Sequence, residues 1–134
     1  MKEIVGVDHI GIRVSELSAA RKFYEDLGFE FIVGPVGPEP VAILRHPSGV
    51  IINFILNAAT SPEENILMDV PTKYAGYTHV ALRVSDINKV KDHMDAKDIT
   101  ITEGPINFGE GLGSSLFIRD QDRNVIEFHQ PPAD

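Results

Sequence analysis

The chain states one motif twice. His9-Ile10-Gly11-Ile12-Arg13-Val14-Ser15 returns as His79-Val80-Ala81-Leu82-Arg83-Val84-Ser85, an offset of 70 from position 9 to position 79, with His, Arg, Val and Ser in matching places. A second echo, Ile51-Ile52-Asn53-Phe54 against Val125-Ile126-Glu127-Phe128, has an offset of 74 from position 53 to position 127. An internal repeat means that one supersecondary unit is used twice. Both copies open on a histidine, and both carry a polar residue in the last strand.

The 134 residues are enough for one compact domain, which the repeat divides into module one (4–56), a linker (57–76) and module two (77–130). Cysteine is absent, which rules out thiolate ligands and disulfides and fits a reducing, cytoplasmic setting. Met1-Lys2-Glu3-Ile4-Val5-Gly6 has no apolar h-region. No apolar run reaches the roughly 18 residues of a membrane span. A net charge of −8 argues against nucleic acid and anionic membrane as partners.

Alternation over 7–14 reads as a strand. Leu17, Ala20, Phe23, Tyr24 and Leu27 then share a helical face over 16–27, with Gly28 at the C-terminal cap and Ser15 or Ser18 as N-cap candidates. Strands near 29–33, 41–46 and 50–56 complete a β-α-β-β-β order. His46-Pro47-Ser48-Gly49 turns between the last two. Module two repeats the order with strand 77–84, helix 86–97 and strands 99–103, 114–119 and 124–129. The intervening stretch 104–113, with four glycines and a proline, reads as a loop. The linker, with Pro62, Pro71 and Gly76, carries at most one helical turn around 62–68.

Strand parity sorts the polar residues. Ile10, Ile12 and Val14, with Val80, Leu82 and Val84, form aliphatic faces that pack under the helices. His9, Gly11 and Arg13, with His79, Ala81 and Arg83, lie opposite. On the last strands Asn53 and Glu127 fall on the helix-free face, and His129 follows Glu127 on it. Two imidazoles and a carboxylate suit one divalent ion, and Fe, Mn, Ni, Co and Zn all accept such a set. The competing reading makes His9 and His79 satisfied core histidines and Glu127 an ion-pair partner; the repeat symmetry favours the metal. His129 reads either as a general acid/base or supporting group, or as an exposed histidine at a strand end. Arg13 and Arg83 lie about 13 Å along their strands from the histidines. They hold the far end of an anionic substrate or pair with acids at the rim. Ser115 and Phe117 line the pocket wall.

DHIGIRV (8–14), FYEDLGF (23–29), THVALRV (78–84) and the hairpin IRDQDRNVIEF (118–128) together resemble the vicinal oxygen chelate superfamily. That group includes glyoxalase I, extradiol dioxygenases, an epimerase of methylmalonyl-CoA, fosfomycin-resistance transferases and bleomycin-resistance proteins. The resemblance implies an α+β fold of two βαβββ modules forming an incomplete, cupped barrel around a metal cleft. It implies metal ligation by His9, His79 and Glu127; Glu127, and His129 from its place two residues further along the same strand face, are the catalytic candidates. The family's fourth position, often Glu or Gln, is Asn53 here, which argues against glyoxalase I chemistry. The hairpin turn departs from the family pattern, with Gln121 for Pro and Arg123 for Gly. The expectation is a metal-dependent lyase or dioxygenase acting on a small oxygen-bearing substrate by bidentate chelation, and a homodimer like family members of this size. Alternatives are a binding or resistance protein without turnover, and an epimerase.

Overall fold

A computed structural model describes residues 1–59 and 63–133. The chain divides into two compact units, Met1–Ser61 and Pro62–Asp134. The first holds β1 (Ile10–Arg13), α1 (Leu17–Asp26), β2 (Glu30–Val36), β3 (Val41–Arg45) and β4 (Ile51–Ile55). The second holds β5 (His79–Arg83), α2 (Ile87–Ala96), β6 (Ile101–Asn107), β7 (Ser114–Arg119) and β8 (Val125–Gln130). Each unit is a βαβββ module with one four-stranded mixed sheet, ordered β1-β4-β3-β2 and β5-β8-β7-β6. The first and last strands of each unit pair in parallel, Ile12 opposite Phe54 and Leu82 opposite Phe128. This is the expected α+β fold, with two open sheets and no closed barrel.

The aliphatic faces lie where parity puts them. Ile12 and Val14 are buried, whereas Gly11 and Arg13 are exposed. In the first unit the Tyr24 ring of α1 sits 5.1 Å from Phe54 and 6.0 Å from Phe29, over Leu44 and Ile52. In the second unit Met94 of α2 takes the place of Tyr24, above Leu116, Ile118 and Ile126. Burying each such side chain contributes roughly 1.5–3 kcal/mol.

Three local readings change. The N-cap of α1 is Glu16, whose side chain makes no cap bond; Ser18 instead donates to Glu16 Oε1. In α2 Asp86 does cap, accepting from the Asn88 and Lys89 amides. The strands expected to stop near 33 and 103 run on to Val36 and Asn107 through register shifts at Gly34-Pro35 and Gly104-Pro105. The dipeptide reads as a turn signal, yet β2 and β6 are edge strands, where a bulge tolerates proline. Both glycines have positive φ. A Cβ would lie 2.5 Å from Ala42 Cα at Gly34 and 2.6 Å from the Ser115 carbonyl oxygen at Gly104.

The stretch expected as a linker is partly structure of the second unit. Asn65 accepts from the Leu67 and Met68 amides and donates from Nδ2 to the Arg123 carbonyl. Asp69 then meets Arg119 of β7 in a two-bond pair, at 2.7 and 2.8 Å. The hydrogen bonds and charge of Arg119 hold the Asp69 carboxyl far below the usual carboxylate range. A carboxyl depressed in the folded state stabilises above its unfolded pKa of about 3.9, and that stability is lost as pH falls toward the folded value. Asp69→Asn should therefore cost about 1 kcal/mol at neutral pH, since such paired bonds exceed ordinary surface ion pairs. The gap from wild type should narrow below about pH 4. Urea melts of both proteins at pH 7 and pH 3 test this, and an equal gap at both would contradict it.

Two glycines of the first module have non-glycine counterparts in the second. Gly28 (φ 96) ends α1, while Asp98 (φ 55) ends α2; Gly49 (φ 102) closes the β3–β4 turn, while Arg123 (φ 66) closes that of β7–β8. Left-handed backbone costs a side-chain-bearing residue about 1–2 kcal/mol, partly offset by the greater unfolded-state freedom of glycine. Asp98→Gly should thus raise stability by roughly 0.5–1 kcal/mol, seen as a melting-temperature gain of a few degrees; a loss would refute the account.

Candidate metal and substrate site

In the second unit, the helix-free face of β5, β8 and β7 brings several candidates together. Ala81 pairs with Glu127, Arg83 with His129, Phe117 with Glu127 and Ser115 with His129. His79 stands two residues before Ala81, so it reaches Glu127 diagonally, and His79 Nε2 lies 3.0 Å from Glu127 Oε1. The other carboxylate oxygen, Oε2, accepts from Ser115 Oγ at 2.7 Å. The same hydroxyl lies 2.7 Å from His129 Nδ1. Phe117 sets its ring edge-on against His79, 5.9 Å between centroids with the planes at 66°. The His79 and Glu127 side chains are 32% and 14% exposed, so the pair is open to solvent on one side.

Each module's first histidine is held by the residue before it. His79 Nδ1 lies 2.8 Å from Thr78 Oγ1, and His9 Nδ1 lies 2.7 Å from Asp8 Oδ1. With Nδ1 so held, Nε2 is the other nitrogen of each ring, and in His79 it is the atom that meets Glu127. His9 lies just ahead of β1 rather than inside the expected strand 7–14, because regular pairing with β4 begins only at Ile10–Ile52. Asn53, beside Gly11 on β4, occupies the place that Glu127 has on β8. Its Oδ1 is buried without a hydrogen-bond partner among the described residues.

The remaining candidates separate. Arg13 donates from Nε to Asn57 Oδ1 at 2.9 Å and approaches Glu39 at 4.0 Å, so it pairs with an acid. Arg83 is exposed on its strand. His79, Glu127, Ser115, His129 and Phe117 form one connected group; His9, Asn53 and Arg13 belong to the first unit. Among the described residues no group of three or more His, Cys, Asp or Glu side chains is assembled as a metal cage. Two features escaped the sequence reading. The Asp8 and Thr78 anchors had a signal, since each immediately precedes its repeated histidine. The bond of Ser115 to Glu127 had none, because it depends on cross-strand register. No helix among the described residues is long and apolar enough to cross a membrane.

A family model described as the Glyoxalase/Bleomycin resistance protein/Dioxygenase superfamily matches residues 6–128. No curated protein matches the chain. Among solved structures, the chain is similar to a glyoxalase/dioxygenase from Nostoc punctiforme, with 21% identity over 98% of this chain and 94% of that one and a TM-score of 0.75. It is similar to a mutant of the fosfomycin resistance protein FosX from Listeria monocytogenes, complexed with Mn(II) and 1S,2S-dihydroxypropylphosphonic acid, with 16% identity over 96% and 94% and a TM-score of 0.72. It also resembles TnmS3, an antibiotic binding protein from Streptomyces sp. CB03234, with 19% identity over 97% and 98% and a TM-score of 0.72. These likenesses establish a shared fold, and the family match covers both βαβββ modules. The chain belongs to the Glyoxalase/Bleomycin resistance protein/Dioxygenase superfamily.

Proposed function

We propose that the protein is a metal-dependent enzyme of this superfamily, acting on a small oxygen-bearing substrate by lyase- or oxygenase-type chemistry, with His9, His79 and Glu127 as metal ligands. The observation that carries this reading is the convergence of His79 Nε2 and Glu127 Oε1 at 3.0 Å on an open sheet face. Both are donors that divalent ions accept, and the Asp8 and Thr78 anchors suit histidines whose Nε2 binds a metal. Support also comes from the FosX structure, in which the fold is complexed with Mn(II) and a dihydroxy compound. A divalent ion would act as a Lewis acid on adjacent substrate oxygens.

The chain's own residues shape the rest. Asn53 offers a neutral amide whose Oδ1 lacks a protein partner, so it is suited to orient a water or a substrate hydroxyl rather than to take a proton. That weighs against isomerase chemistry needing a carboxylate base in each module. Phe117 braces the His79 ring and makes an apolar wall. Arg83 supplies an exposed positive charge for an anionic group, whereas Arg13 is engaged by Asn57 and Glu39. A second reading, sequestration of a compound without turnover, draws on the likeness to TnmS3.

Elemental analysis of purified wild type, Glu127→Ala and Asn53→Ala separates these readings. Wild type should carry about one divalent ion per site, Glu127→Ala should lose most of it, and Asn53→Ala should keep it while losing substrate affinity. Equal metal in wild type and Glu127→Ala would sink the ligand assignment, and metal-free wild type would favour sequestration. The affinity should weaken in acid as the histidines protonate.

A homodimer is part of this proposal. Val5, Val7 and Tyr77, which flank the first strands of the two modules, are 99%, 86% and 100% exposed in the single chain. Apolar side chains left this open favour association where they fall in one contiguous patch. Sedimentation at micromolar concentration should give a dimer; a monomer would reject it. Mixing His9→Ala with Glu127→Ala chains then tests how sites are built. Recovery of activity means that each site draws on two chains, and no recovery means one.

A further inference from the structure

Ser115 is fully buried, yet it lies in a sheet face otherwise given to the candidate site. Its hydroxyl touches Glu127 Oε2 and His129 Nδ1, each at 2.7 Å. Hydrogen-bond inventory decides who donates. An ionised carboxylate only accepts, so the single Ser115 O–H must go to Glu127. His129 Nδ1 must then carry its own proton and donate it to Ser115 Oγ. In the neutral imidazole the other ring nitrogen, Nε2, is then a bare acceptor. No hydrogen bond to Nε2 occurs among the described residues, and the His129 side chain is 31% exposed.

The surroundings hold this arrangement. A Cβ on Gly113 would approach His129 Cε1 and Nε2 to 3.1 Å and would collide with the Gln130 carbonyl oxygen. Glycine at φ 80 therefore leaves room for the ring. The link continues through Glu127 Oε1 to His79 Nε2 and from His79 Nδ1 to Thr78.

We propose that Ser115 is a positioning residue for this site: one hydroxyl fixes the orientation of the Glu127 carboxylate and locks His129 as the Nδ1–H tautomer, presenting Nε2 as an acceptor. The Glu127 half rests on the reading of Glu127 as a metal ligand; the His129 half does not. Residues that orient a ligand typically change metal affinity 10–100-fold when removed. A merely structural serine would alter neither a tautomer nor an affinity.

Nitrogen-15 NMR of the metal-free protein at about pH 8, where an ordinary imidazole is neutral, reads the tautomer directly. Wild type should show His129 protonated at Nδ1 and bare at Nε2, and Ser115→Ala should shift it toward protonation at Nε2. Titration with Mn²⁺ alone should show about tenfold weaker binding in Ser115→Ala, restored by Ser115→Thr. An Nε2–H form of His129 in wild type would overturn the proposal, and so would unchanged Mn²⁺ affinity in a folded Ser115→Ala. The wild-type spectrum needs no variant to fold. Failure of the metal reading looks different: wild type would take up no Mn²⁺, while the His129 tautomer would still report on Ser115.

Discussion

Each unit has one helix to cover one face of its sheet, and that constraint organises the rest. Alternation in β1 and β5 sends Ile12, Val14, Val80 and Leu82 toward the helix side, where Tyr24 and Met94 cover the sheets. The opposite face is thereby released from packing duty. Glycine and alanine stand there at positions 11 and 81 and keep the surface low beside Asn53 and Glu127. His79, Glu127 and His129 on that face keep partial access to solvent, whereas Ser115 is buried there and meets its desolvation by hydrogen bonding.

Within the second unit, Glu127 is the point where several elements meet. It stands on β8 between β5 and β7, so one carboxylate oxygen faces His79 and the other faces Ser115. A carboxylate with both oxygens engaged has little rotational freedom, which is what a preorganised ligand or charge-stabilising group requires. The turn that starts β8 is held just as firmly. Asp120 accepts from the Asp122 and Asn124 amides and from Asn124 Nδ2, and Arg119 is tied to Asp69. The first unit has the same scaffold with different chemistry, since Asn53 replaces the carboxylate and its oxygen has no protein partner. The repeat therefore presents two similar faces that differ in the polar group carried by the last strand, Asn53 in one and Glu127 in the other.

Much of this was written in local pattern. Period-2 alternation, the helical faces and the repeated DHIGIRV and THVALRV segments determined two βαβββ modules and set Asn53 and Glu127 at equivalent places on their last strands. Gly28 at the end of α1 and Asp86 at the start of α2 follow from local capping chemistry. Tertiary structure decided what depends on register and edges. Gly34-Pro35 and Gly104-Pro105 look like chain breaks, but at a sheet edge they became bulges inside strands. The stretch after Asn65 looks like a tether, but Asp69 found Arg119 fifty residues away. Ser115, placed by sequence only on the pocket wall, meets Glu127 and His129 because β7 and β8 pair in one antiparallel register, and a shift of one residue would turn its hydroxyl to the other face. Faces and periods are properties of neighbouring residues, whereas hydrogen-bond partners across strands are properties of the folded chain.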